Sequence, residues 1–302
     1  MPRRLDLLLA LAGCLALRPS AAPAAPSDAE FLLQLPSAHA AALGGAYGAH
    51  RASLDDLRCN PAGLEGLSGF NAVIAHKTAP GDWTHEWAAV GGQVGWLSLG
   101  GEVLLDSLQP FTLYDANGQA TDNASSSSQV LGLAAAVALN RWASAGLEGH
   151  LFRSQLYTYE ASGLAADLGV NLHWPRQPWS LGLAVQNLGS QSAYVATADP
   201  LPLCGRAALQ VAWKLDGGLS VRPSVELVGY QDPLRPSELR GGLEATLFDR
   251  LDLRGGWMKS GDFDQMSVGL GLHWDQVEVD YAFLPGSDLG DSHVLELNVS
   301  RP

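Results

Sequence analysis

Cysteine is scarce: three residues in 302, at positions 14, 59 and 204. So few cannot build the dense disulfide framework of a small secreted domain. Basic residues are few as well. Eighteen Lys and Arg stand against 31 Asp and Glu, a net charge of −13. No Lys/Arg run occurs, which excludes the clustered cations that nucleic acids and anionic headgroups require. Beyond Phe31 no stretch of about 18 or more unbroken apolar residues is present, so no spanning helix is available. Catalytic signatures are missing too: no Gly-x-Ser-x-Gly elbow, no phosphate loop and no His pair at helical metal spacing. The sequence points to neither an enzyme nor a cofactor or metal protein.

What is present is period-two alternation, repeated from Gly69 to the end. Leu164, Ala166, Leu168, Val170, Leu172 and Trp174 fall on one face of an extended segment. Ala165, Asp167, Gly169, Asn171 and His173 fall on the other. Met266–Trp274 and Val277–Phe283 behave alike, and such alternation explains a mean hydropathy of only +0.04. About fourteen strands follow by this criterion. They lie near Gly69–Lys77, His85–Gly92, Gly95–Leu105, Ser128–Leu139, Ala143–Leu156, Ser162–Trp174, Trp179–Asn187, Cys204–Lys214, Gly218–Tyr230, Ser237–Leu247, Arg250–Met258, Gln265–Trp274, Gln276–Phe283 and Ser292–Ser300. Most have the length of a tilted strand crossing a bilayer. The intervening segments alternate between long ones, above all Asp106–Ser127 and Leu188–Leu203, and short ones such as Asn140–Trp142. Outer-membrane barrels sort their loops in this way. Trp83, Trp142, Trp174, Trp179, Trp213, Trp257, Trp274 and Tyr281 sit near strand ends, as an interfacial aromatic girdle would.

The N-terminus reads as an export signal: Arg3 and Arg4, an apolar run Leu7–Leu17, then small residues up to Ala25. Leu11-Ala12-Gly13-Cys14 resembles a lipobox, but the apolar run continues through Cys14, and ordinary cleavage is preferred. Cys59 and Cys204 then remain, either paired or as two buried thiols. Phe31–Leu67 is rich in Ala and Gly and does not alternate. Ser53 can cap a short turn through Leu57, and Asn60-Pro61 favours a tight turn. This segment is expected to be a luminal plug. The organisation expected is a signal peptide over 1–25, a plug over 26–68 and an all-β, antiparallel transmembrane barrel over 69–302.

Candidate interior residues are those on the small, polar faces: Glu148, Asp167, Asn171, Arg206, Glu226, Arg240, Glu244 and Arg254, with Glu102 and Asp252 beside them. They either line an aqueous lumen or pair across it; pairing is preferred. In the first case the face carrying Asn171 meets water and tolerates an arginine. Asp115, Asn117 and Asp122, like Asp262 and Asp264, read as solvated loop groups before calcium ligands.

Phe31-Leu32, Ala40-Ala41-Ala42-Leu43-Gly44-Gly45-Ala46-Tyr47 and Asn60-Pro61-Ala62-Gly63-Leu64 resemble the N-terminal signature of PorV/PorQ-type proteins, relatives of FadL-type barrels. Gly163–Gly169, Val185–Gly189, Asp280–Phe283 and Asp288–His293 are similar to later parts of the same family. The turn chemistry of Asn60-Pro61-Ala62-Gly63-Leu64 is expected to anchor the plug to the wall. The resemblance implies a fourteen-stranded outer-membrane barrel of a gram-negative bacterium with an N-terminal plug. It also implies a role in handling or shuttling exported proteins in type IX-like secretion, with outer-membrane lipid, secreted proteins and secretion components as partners. A FadL-like channel for hydrophobic or small solutes and a purely structural barrel are the alternatives.

The loop pattern places Asp106–Ser127 outside and Asn140–Trp142 in the periplasm. In a background lacking Cys59 and Cys204, a cysteine at Ser126 should react with an impermeant maleimide on intact cells and one at Asn140 should not. The opposite labelling reverses the topology.

Overall fold

The computed structural model describes residues 29–174, 176–286 and 290–301. The export signal and Cys14 lie outside the described residues. Strands β1 (Phe70–Ala79), β2 (Trp83–Val94), β3 (Leu97–Tyr114), β4 (Ala120–Asn140), β5 (Ala143–Leu156), β6 (Tyr159–His173) and β7 (Trp179–Gln191) follow one another as an antiparallel meander. Strand β8 runs Cys204–Val211 and resumes as Trp213–Leu215, both pieces pairing with β9 (Leu219–Tyr230). Then come β10 (Glu238–Leu247), β11 (Leu251–Ser260), β12 (Phe263–Trp274), β13 (Val277–Leu284) and β14 (Ser292–Arg301). β14 pairs back onto β1 from Phe70↔Arg301 to Thr78↔His293, which closes a fourteen-stranded barrel and leaves no free edge.

Alternation decides which way each strand faces. On β6, Leu164, Leu168 and Val170 are exposed, whereas Ala165, Asp167 and Asn171 are buried. The greasy face points outward because the surrounding solvent there is lipid, and the small or polar face points inward. At the short-turn end, Trp96, Trp142, Trp174, Trp179, Trp213 and Trp274 form an interfacial ring. Toward the other end the outward positions become polar: His76 faces Glu86 (2.6 Å), Arg153 faces Glu160 (2.5 Å) and Lys259 faces Asp264 (3.2 Å).

One part of the sequence reading is corrected. The expected loop Asp106–Ser127 is a continuation of the wall. β3 and β4 keep pairing past a register shift at Leu108, out to Tyr114↔Ala120. With 21 residues, β4 spans about 70 Å at about 3.3 Å per residue. That far exceeds an apolar band about 25 Å tall, so the hairpin stands clear of the membrane. Its Ser, Thr, Asn and Asp residues carry no apolar alternation because no lipid faces them; backbone pairing alone makes the ladder. At the tip, Asp115 accepts the N–H groups of Asn117 and Gln119, each at 2.8 Å. The Gln119 and Asn117 amides hold its carboxyl below the usual carboxylate range. Asp122 accepts the Tyr157 hydroxyl. The expected loops Thr78–Thr84, Tyr157–Ala161 and Lys259–Asp264 also shrink, to turns at 80–82, 157–158 and 261–262. The long connections on that side are 192–203, 231–237 and 285–291.

Leu168→Arg or Leu270→Arg places a cation on the lipid face near mid-strand. Each should destabilise the inserted barrel by about 2–4 kcal/mol, measured by denaturant titration of the protein refolded into lipid vesicles.

Candidate functional site: the barrel interior

The residues before β1 form a chain of short turns, each started by its own cap. Ser37 accepts from the Ala40 amide (3.2 Å) to open helix α1, Ala38–Ala42. Ser53 and Asp56 make a capping box over a 3-10 turn, Leu54–Arg58. Asn60 accepts from the Ala62 amide (3.2 Å) and Pro61 opens a second 3-10 turn, Pro61–Leu64. Between them Gly44 and Gly45 adopt positive φ, 64° and 79°, which folds the chain back on itself.

This irregular segment lies against the inner wall all the way round. The wall permits it by lacking side chains where backbone meets backbone. A Cβ on Gly182 (β7) would strike the Gly48 carbonyl, one on Gly169 (β6) the Asn60 side chain, and one on Gly256 (β11) the Gly44 amide. The wall then supplies the hydrogen bonds that the segment cannot make internally. Glu226 accepts the amides of Tyr47 and Gly48, each at 2.9 Å, and Glu296 accepts that of Ala38 at 2.6 Å. Ser144 donates to the Ala62 carbonyl (3.1 Å), Ser180 to that of Ala49 (3.0 Å) and Ser267 to that of Ala42 (3.0 Å).

The candidate interior residues Glu148, Asp167, Asn171, Arg206, Glu226, Arg240, Glu244 and Arg254 are all buried. Several meet. Arg206 donates to Glu226 through Nε and to the Gly45 carbonyl at 3.2 Å. Arg254 donates to Glu244 (2.8 Å), to Asp252 (2.6 Å) and to Asp280. Glu148 and Asp167 face each other across β5 and β6. Arg240 is held instead by Glu238 at 2.5 Å and reaches the Gly45 carbonyl at 3.3 Å. For Asn171 the structure shows pairing, the preferred of the two expectations. It is fully buried, accepts from the Asn60 amide at 2.9 Å and donates to the His50 carbonyl at 3.0 Å, so it does not face open water. Asn60 also donates to the Gly48 carbonyl at 2.8 Å. Pro61, Ala62, Gly63 and Leu64 are buried beside it. Cys59 and Cys204 are both free and buried.

Residues that the sequence reading did not single out complete the site. His39 of α1 sits 2.5 Å from Glu244. Arg58 donates to Glu102 (2.9 Å) and to the Leu32 carbonyl (2.9 Å). A bulge in β7 puts Asn187 at φ 65° and turns both Gln186 and Asn187 inward, where the Gln186 side chain and the Asn187 backbone amide donate to Asp167 at 3.1 and 2.7 Å. An Asn in a Gln-Asn pair between alternating residues is the local signal for that bulge.

The charges occupy mainly the β8–β14 side. The β1–β6 side carries the apolar cluster, beside the buried Glu102, Glu148, His150 and Asp167: Val73, Trp87, Leu104, Val130 and Phe152 meet Phe31, Leu54, Leu57, Leu64 and Leu67 of the N-terminal segment, and Leu201 of the 192–203 loop joins them. Phe31 and Phe152 stand edge to face at 5.6 Å. Outside, over β13, β14, β1, β2 and β3, lies an apolar groove of about 570 Å³ lined by Ile74, Ala88, Val103, Val279, Leu295 and Leu297.

This architecture defines a transmembrane β-barrel of the outer-membrane type. No protein-family model and no curated protein matches the sequence. Solved structures do match the fold. The toluene transporter TbuX of Ralstonia pickettii superposes with a TM-score of 0.63 at 13% identity, over 90% of this chain and 100% of that one. The toluene transporter TodX of P. putida gives 0.64 at 11% identity, over 89% and 99%. A FadL homologue of Pseudomonas aeruginosa gives 0.55 at 9% identity, over 92% and 99%. The fold is therefore FadL-like. The comparisons lend no support to the narrower PorV/PorQ-type resemblance.

Gly182→Val places a branched side chain where the Gly48 carbonyl lies. The barrel should still fold, and the segment 29–68 should become sensitive to protease in detergent. Asn60→Ala, which strands partners at Gly48 and Asn171, should weaken its docking by about 1–3 kcal/mol, read from the same digestion.

Proposed function

We propose that the protein is an outer-membrane channel for small hydrophobic molecules and that residues 31–67 are its plug. The observation that carries this reading is a continuous apolar cluster within the interior. A water-filled porin keeps a polar lumen. Here an apolar strip runs from Leu201, at the end bearing the long connections, past Phe31, Phe152, Leu104 and Trp87 to Leu57 and Leu64. Gly100, near the short-turn end of β3, lies against both Leu57 and Leu64. An apolar solute crossing along this strip exchanges one greasy contact for another and is never forced into water. The plug fills the strip, so passage requires the plug to move. Its docking through many individually modest hydrogen bonds suits a segment that shifts without unfolding the wall. The likeness in fold to hydrocarbon channels favours the same reading. Among the described residues no arrangement favours a role in handling exported proteins.

Cells deficient in hydrophobic-solute uptake, expressing this protein, should take up a labelled monoaromatic hydrocarbon or a long-chain fatty acid faster than controls. Phe152→Glu should reduce that uptake severalfold at equal membrane levels. Deleting 31–67 should leave an inserted barrel with raised ion conductance. Uptake no greater than in control cells would sink the channel reading, and unchanged conductance in the deletion would sink the plug.

A further inference from the structure

Glu148 is fully buried, yet neither of its carboxylate oxygens is hydrogen-bonded. Its neighbours make matters worse. Asp167 stands directly across from it on β6, and Glu102 approaches from β3 over Gly132, whose missing side chain opens the space. A Cβ at Gly132 would lie 2.7 Å from both Glu102 Cγ and Glu148 Oε1. Like charges facing each other inside a wall repel unless a cation intervenes. Arg58 reaches Glu102 Oε1 at 2.9 Å, and Trp87 donates to Glu102 Oε2 at 2.8 Å. The Asp167 oxygens receive Asn187 and Gln186. None of these donors serves Glu148. His150 is buried on the same face, with Nε2 at 3.3 Å from Asp167 and Nδ1 without a hydrogen bond, turned toward the two glutamates.

We propose that Glu102, Glu148 and His150 bind a divalent transition-metal ion, with zinc the best match to one imidazole and two carboxylates. One donor atom from each of the three lies within 4.8 Å of the others. His150 Nδ1 is 3.8 Å from Glu102 Oε1 and 3.9 Å from Glu148 Oε1. Two ligands on a tetrahedral zinc are about 3.4 Å apart, given bonds of about 2.1 Å, so His150 Nδ1 reaches that spacing from each glutamate by an approach of a few tenths of an ångström. The second Glu148 oxygen, also unpartnered, is a further donor through bidentate, distorted coordination by that carboxylate. The contact of Nε2 with Asp167 orients the ring, as carboxylates commonly do behind a metal-bound histidine. Charge supports the assignment. Three carboxylates and one guanidinium leave an excess of two negative charges with His150 neutral, which a divalent ion cancels. A second cluster, Asp252, His273 and Glu278, does not qualify. There the Arg254 guanidinium already bridges both carboxylates, 2.6 Å from Asp252 and 3.2 Å from Glu278, whereas Arg58 reaches only Glu102 and leaves Glu148 without a partner.

The ion would join β3 and β5 beside Arg58 and so hold the Leu54–Arg58 turn against the wall. Because the site is closed to solvent, loading accompanies folding. The whole chain refolded from denaturant into detergent with Zn²⁺, then dialysed exhaustively, should retain about one zinc per chain. Glu148→Gln, the same shape without the charge, should retain at least about tenfold less. Glu86→Gln, which alters the exposed His76–Glu86 pair, should retain as much as wild type. Folding of each variant is read from its heat-modifiable migration on gels. Wild-type protein that keeps no zinc overturns the proposal, as a Glu148 held as a neutral acid would. Equal retention by Glu148→Gln overturns it too. Should that variant fail to fold, wild type loaded with Co²⁺ decides. The intense visible bands of a four-coordinate ion support the site, and the pale spectrum of a six-coordinate ion overturns it.

Discussion

The structure depends on one constraint: backbone that is neither helix nor sheet must find hydrogen-bond partners inside a closed wall. Residues 29–68 contain one short helix and a series of tight turns, so many of their amides and carbonyls have no internal partner. Water cannot serve them in a filled lumen, and an unmet buried polar group is costly. The inward face of the barrel answers this. Carboxylates of Glu226 and Glu296 take backbone amides, while Ser144, Ser180, Ser267 and Asn171 give hydrogen bonds to carbonyls. The polar alternation of the wall is thus recognition of one particular segment.

That arrangement explains why charged groups are so numerous in an interior filled by the segment. Arg206 and Arg240 each bridge a wall carboxylate to the Gly45 carbonyl. Desolvating such a pair costs much of what its attraction returns, so its value lies in fixing where the segment sits. The apolar side of the interior works differently. Leu54, Leu57, Leu64 and Leu104 press together without directional bonds, and such contacts are readily exchanged for those of an apolar guest. One side locates the segment and the other can accommodate a solute.

The sequence was most legible where the environment imposes a strict period. Between lipid and interior every strand must alternate, and Ala143–Leu156 falls where the alternation places it. The β3–β4 hairpin was hidden because its outer half has no lipid beside it, and backbone pairing leaves no hydrophobic signature. The apolar interior cluster was hidden for a related reason. Val130 and Leu131, neighbours on β4, are both apolar though one points in and the other out, so alternation loses contrast where the lumen itself is greasy. The caps at Ser53 and Asn60, by contrast, are local chemistry and could be read directly.

By itself, then, the sequence determined the strand number, the outward face of each strand, the turn chemistry and the segment that would not alternate. Each follows from near neighbours in the chain and from the two solvents a barrel wall meets. Only the tertiary structure decided which interior groups meet. Arg206 with Glu226, Asn60 with Asn171, and Glu102 with Glu148 and His150 depend on strand register and on how the N-terminal segment threads the lumen. Register is a property of pairs of strands, and threading is a property of the closed barrel; neither leaves a mark on any single stretch of sequence.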